Sequence, residues 1–283
     1  MTEVCSVFEK KLKKGAGRDE VYCAIKNEIN PHCQKAKVFV DRLWATAHSY
    51  LDPDLPDKLS NQFHQHFWEL YLATSLIEVG LALEHSSSSD GPDICIKPTD
   101  DSCIWVEAVT AGAGQGIDAV QEAKSGTTRD VPDDQIKLRL LNAFDKKSKK
   151  YNTYKEKNWV DSKDPYIIAI NAAQVPSASL ELEIPRIVRS LLPFGHQVLH
   201  LDRESLQMDS SRYSYQGNIV KLSGKSPETT SFLNPKFSGI SAVIYSCRDA
   251  FNYPTEISKD LLLFHNPLAV NPLPLGFLKQ YSG

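Results

Sequence analysis

Three carboxylates in this chain are spaced so that one sheet edge and one helix could gather them. Asp93 opens the apolar run Asp93-Ile-Cys-Ile-Lys97, and Glu107 lies inside a second, Cys103-Ile-Trp-Val-Glu-Ala-Val109. The segment Pro98-Thr-Asp-Asp-Ser102 between them has turn chemistry, so the two runs predict an antiparallel hairpin. A turn centred near Asp100 and Asp101 makes paired positions sum to about 201, which sets Asp93 opposite the Glu107/Val109 region. Side chains alternate along a strand, so Glu107 and Val109 share a face, and Asp93 joins them only in an even register. Glu69 is a third carboxylate, set in a helical stretch among Phe67, Trp68, Leu70 and Tyr71. Converging carboxylates repel unless a cation lies between them. Mg2+, with Mn2+ as the alternative ion, suits carboxylate oxygen and water, with a backbone carbonyl such as that of Ala108 completing the set. Such an ion polarises a phosphodiester and generates hydroxide.

The elements that must position these groups are legible from periodicity. Ser60 predicts the N-cap of a helix running to Gly80, with Phe63, Phe67, Leu70, Leu76 and Ile77 at helical spacing. Leu81 to His85 reads as a short strand and Ser86 to Gly91 as a turn. After the glycine-rich loop Ala111-Gly-Ala-Gly-Gln-Gly116, Pro132, Asp133 and Asp134 predict the start of a second helix that continues to about Tyr151. That helix buries Ile136, Leu140 and Phe144. It presents Gln135, Arg139, Asn142 and Lys146 on one polar face, where an arginine could hold phosphate oxygens.

The order of helix with Glu69, short strand, Gly91-Pro92-Asp93, strand, Trp105-Val-Glu107 and a helix bearing Gln135 resembles the PD-(D/E)xK nucleases. The resemblance covers about a third of the chain, roughly 60–151. It implies a mixed sheet flanked by helices and Mg2+-dependent cleavage of nucleic acid. It also implies that Asp93 and Glu107 bind the metal, with Glu69 as an accessory ligand or water-orienter and Gln135 on the helix beside them. The chain departs from the family at the lysine expected two residues after the glutamate, where Val109 stands. That lysine orients water and stabilises transition-state charge. Lys97, Lys137, Arg139 and Lys124 are the candidates for a displaced cation, and Lys97 is preferred as the catalytic one. Arg139, Lys146 and Lys150 are the expected substrate-binding residues.

The stretch Lys146-Lys-Ser-Lys-Lys-Tyr-Asn-Thr-Tyr-Lys-Glu-Lys157 interleaves lysines with Tyr151 and Tyr154. It suits a phosphate backbone with base stacking, or equally a solvated helix end. The glycine loop has the wrong spacing for a dinucleotide fingerprint and no GK[ST] for a P-loop. His64 and His66 are two apart on a helix and so point to different sides, which makes them poor co-ligands. No serine has a GxSxG context.

The chain has 283 residues, a net charge of -3 and six cysteines, none in a CxxC pair. A whole-chain basic footprint is therefore absent, while one basic cleft remains compatible with the charge. The opening MTEVCSVFEKKLKKG lacks an apolar signal core, and no run approaches the ~18 apolar residues of a membrane span. Free thiols and a cytoplasmic setting are expected, with a homodimer allowed. The prolines in Leu51-Asp-Pro-Asp-Leu-Pro-Asp57 separate a helical N-terminal extension, 1–56, from a nuclease-like α/β domain, 57–283, onto which the extension is expected to pack. Tyr166 to Ile170, Gln197 to Leu201 and Ser241 to Tyr245 are further strands, and 203–237 reads as irregular. The expected fold is a restriction-endonuclease-like core, and the expected function is metal-dependent hydrolysis of DNA or RNA. Two alternatives are an inactive nuclease-fold module that binds nucleic acid or protein, and a small-molecule enzyme using the glycine loop.

Overall fold

In the N-terminal region, polar caps and apolar stripes produce four helices. The computed structural model describes residues 5–13, 18–85, 91–98, 103–202, 205 and 208–278. The helices are α1 (Glu20–Lys26), α2 (Pro31–Ala47), α3 (Leu55–Asn61) and α4 (Phe63–Glu78). One carboxylate caps two of them. Asp19 Oδ1 accepts from the backbone of Val21 and Tyr22 at 2.9 and 3.1 Å, and its Oδ2 accepts from Phe63 N at 3.2 Å. Pro56 sits in the first turn of α3, so the proline-rich segment starts a helix as well as ending one. Ser60 consequently lies inside α3, its hydroxyl donating to Asp57 O at 2.7 Å, and α4 begins at Phe63. The expected N-cap at Ser60 is thus corrected.

The main sheet has five strands in the order β1 (Ile94–Ile96), β2 (Ile104–Gly112), β3 (Tyr166–Gln174), β6 (Ala242–Ser246) and β7 (Leu262–His265). The pairs β1–β2 and β6–β7 are antiparallel, while β2–β3 and β3–β6 are parallel. The long helix α5 (Asp133–Glu156) makes the crossover from β2 to β3 and extends past the expected end at Tyr151. Strands β4 (Phe194–Leu201) and β5 (Met208–Tyr215) form a separate two-stranded ribbon, preceded by α6 (Arg186–Leu191). The expectation that 203–237 is wholly irregular is therefore corrected by β5. Its sequence is polar because the ribbon is largely in water, so no apolar alternation marks it. The Leu81 to His85 segment contributes a single bridge, Leu83 to Ile96. The predicted turns at 86–90 and 99–102 lie outside the described residues.

The sheet divides two cores. Ile104, Val106 and Ala108 of β2 pack with α1 to α4 on one face, and Val109 and Ala111 pack with α5 and α6 on the other. The N-terminal helices belong to the first core, sharing it with α4 and the sheet. Strand β3 is buried on both faces for most of its length, as its apolar run requires. Trp68 of α4 is fully buried and donates to Ala169 O at 3.0 Å, which ties this helix to the central strand.

Candidate functional site

Strand β1 ends early at its Asp93 side because Gly91 and Pro92 precede it, with Gly91 at φ +114. The outer edge of β2 is therefore left without a strand partner beyond Val106, and side chains take the strand's place. Asp93 Oδ2 accepts from Ala108 N at 2.7 Å. Farther along, Gln65 of α4 presents its amide to the same edge. Its Oε1 accepts from Thr110 N and Thr110 Oγ1, each at 3.1 Å, and its Nε2 reaches Ala108 O at 3.4 Å. Gln65 also donates to Glu69 Oε1 at 3.0 Å, and His66 Nδ1 lies 2.8 Å from Glu69 Oε2. All three carboxylates thus border one gap in the sheet.

The register is even. Ile94 pairs with Val106, so Asp93 lies across from Glu107 on the α5 face. Glu107 is fully buried. Helix α5 supplies its partners from one face, at i, i+3 and i+7. Lys147 Nζ and Lys150 Nζ both donate to Oε1, the latter at 2.7 Å, and Tyr154 OH donates to Oε2 at 3.2 Å. Lys147 Nζ also lies 4.0 Å from Asp93 Oδ2, between the two acids.

Burial pushes the Asp93 carboxyl up to about 8, with the negative charges of Glu107 and Glu69 adding to the rise and Lys147 and Lys150 opposing it. Burial also works to raise Glu69, but His66, Gln65 and Lys147 outweigh it and hold the carboxyl below its usual range. Lys150 is raised: its burial opposes the charge, and the attraction of Glu107 prevails. The tyrosine beside it, Tyr154, is raised by burial and by Glu107.

The cations that meet Glu107 thus come from the crossover helix, as Lys147 and Lys150. Lys150 was expected there as a phosphate contact, while Lys147 was not singled out. A signal for it existed. Continuing the buried stripe Ile136, Leu140 and Phe144 by helical steps lands on Lys147 and then Tyr151. A lysine in a core stripe needs an acid inside.

Other expected residues are not brought to the carboxylates. Lys97 lies at the far end of the hairpin from Asp93, about 13 Å along the strand, and pairs with Glu84 at 3.6 Å. Gln135 and Arg139 are on the same helix as Lys147, about 18 and 12 Å back along its axis. The Arg139 guanidinium packs against the glycine loop, where a Cβ on Gly114 would overlap it. Lys137 is fully buried and held by Asp133, Asp134 and Gln216 at 3.2, 2.8 and 2.7 Å. Lys146 and Lys149 are exposed on α5, and Lys149 faces away from Glu107, lining a pocket with Asp145, Asn152 and Lys236. Tyr151 and Tyr154 are buried, which corrects their expected role in base stacking.

Asp93, Glu107 and the Ala108 carbonyl are hard oxygen donors of the kind a divalent ion takes, and Lys147 and Lys150 already balance the two acids. One oxygen from each of Glu69, Asp93 and Glu107 does not fall within a common 4.8 Å, so direct ligation by all three is not formed among the described residues. Glu69 instead borders the Ala108 carbonyl through Gln65.

No protein-family model, curated protein or solved structure matches the chain. No helix among the described residues is long and apolar enough to cross a membrane.

Proposed function

We propose that this protein hydrolyses phosphodiester bonds in nucleic acid with the help of a divalent metal, at the open edge of β2. The reading is carried by one observation: the buried Glu107 faces Asp93 across the hairpin while Lys147 stands between them. A buried acid and lysine in a purely structural role need only each other. Here a second acid, a second lysine and a third acid from α4 border the same gap, and Lys150 is 44% exposed and open to a ligand.

Asp93, Glu107 and the Ala108 carbonyl would hold Mg2+, which when bound polarises a phosphoryl oxygen and lowers the pKa of water. Lys150, with Lys147 behind it, would neutralise charge building on the phosphoryl oxygens. The exposed Lys146 would seat the flanking backbone as a sequence-independent cationic contact. Glu69, held by His66 and Gln65, would orient the attacking water.

The test is cleavage of plasmid DNA and structured RNA with Mg2+ or Mn2+, comparing the wild type with Glu107→Ala. Metal-dependent cleavage that the variant lacks supports the reading and separates DNA from RNA. Absence of cleavage by the wild type on both substrates counts against it. A second reading, a binding module on the same fold, is favoured by the saturation of Glu107 by the chain's own cations. It predicts nucleic-acid binding that is independent of added metal.

A further inference from the structure

A second cluster lies on the same sheet face, farther along the hairpin from Asp93. Cys95 pairs with Trp105 in the β1–β2 ladder, which places Cys95 and Cys103 as diagonal neighbours on one face. The preceding segment adds a third strand-like edge through the Leu83 to Ile96 bridge. Glu84 N donates to Cys95 O and Lys97 N donates to Ala82 O, both at 2.9 Å. Glu84 is thereby carried beside the two thiols. Its Oε2 lies 3.4 Å from Cys95 Sγ, and one ligand atom from each of Glu84, Cys95 and Cys103 falls within 4.8 Å of the other two. Cys95 is buried, Cys103 half-buried and Glu84 exposed, so the cluster has a dry wall and an open mouth.

We propose that Glu84, Cys95 and Cys103 bind a thiophilic divalent ion, Zn2+ by preference, with water in the fourth position. Three points favour this ion. Two sulfurs and one carboxylate oxygen are a donor set for zinc and a poor one for Mg2+. Main-chain hydrogen bonds fix the backbone of Glu84 and Cys95 side by side, and Cys103 directly precedes β2, so little backbone ordering is left to do on binding. The charges also balance: two thiolates and one carboxylate are met by the ion and by Lys97, whose Nζ is 3.6 Å from Glu84 Oε2. The ion would clamp the segment 82–84, β1 and β2 together, two residues from Asp93. It is a positioning element for the hairpin and stands whether or not the phosphodiesterase reading does.

The experiment uses the whole chain, reduced and stripped of metal, titrated with Co2+ in the presence of excess Mg2+ to occupy the carboxylates. The expected result is one equivalent of Co2+ with a sulfur-to-cobalt charge-transfer band, abolished by one equivalent of Zn2+. Cys103→Ser, at the half-buried position, should lose the band while keeping the wild-type circular dichroism spectrum. Glu84→Gln should keep a band but bind more weakly by at least tenfold. No band in the reduced wild type overturns the proposal, as does a band that survives Cys103→Ser. Conversion of Cys95 and Cys103 to a disulfide on mild oxidation, with no band in the reduced protein, would assign the pair to redox chemistry instead.

Discussion

Lys147 and Glu107 hold each other in place in a region with little water, and each would be costly alone. Breaking such a pair from one side leaves an uncompensated buried charge, which costs about 3–5 kcal/mol. Lys150 and Tyr154 still hold Glu107 when Lys147 is removed, so Lys147→Met should lower unfolding free energy in urea melts by less, about 1–3 kcal/mol. The same change made in a Glu107→Gln background should cost much less, and the difference measures the coupling. Asp93 sets the pH response. Its carboxyl moves from an ordinary 3.8 up to about 8 in the folded chain, so the folded state binds more protons than the unfolded one between those values. Metal-free stability should fall as pH rises from about 4 to about 8. Asp93→Asn should flatten that decline, and thermal melts of both proteins in chelator at pH 5 and pH 8 check it. At this scale the acids were legible because a carboxylate inside an apolar run must find a cation or a proton when the run is buried. Their cation was not legible, because a lysine forty residues away in sequence gives no sign of which acid it meets until the helix is docked.

Among the elements, α4 and the β1–β2 hairpin were readable because their apolar periods are unbroken. Helix α4 starts where Asp19 reaches it from another helix, and no local pattern around Ser60 encodes that capping. Asp19→Ala removes caps from α1 and α4 together. Each cap contributes about 1 kcal/mol, so a loss of about 2 kcal/mol is expected in urea denaturation. The edge of β2 is closed by Gln65. Gln65→Ala should leave Thr110 N and Ala108 O open to solvent and should speed amide exchange at Thr110 without unfolding the sheet. Gln197 to Leu201 of β4 was readable, while the short β7 and the polar β5 escaped the pattern reading because each is only partly covered. Alternation fades when neither face is fully buried.

Across the molecule, burial is uneven. Strand β3 sits at the centre of the five-stranded sheet with both cores against it, while the β4–β5 ribbon stands apart with Leu199, Leu201 and Met208 exposed. Hydrogen exchange should reflect this, with the amides of β3 among the slowest and those of the ribbon exchanging orders of magnitude faster. Uniform protection across both sheets would contradict this layering. The α/β class could be anticipated from helices alternating with apolar strands, while the mixed sheet with flanking helices was expected only from the resemblance. Packing of the N-terminal helices onto the main domain was expected, but the residues that form their shared core with α4 were not, because prolines mark a break in the chain and do not say which faces meet.

The even register of β1 on β2 also acts as a proofreader during folding. Strand β2 is held by β3, so Glu107 keeps its face whatever β1 does. A slip of β1 by one residue would instead turn Asp93 into the apolar layer and bring Ile94 and Ile96 out of it. The wrong alignment is thus rejected by a stranded acid and two lost apolar contacts, and the hairpin has little freedom to settle one step out of place.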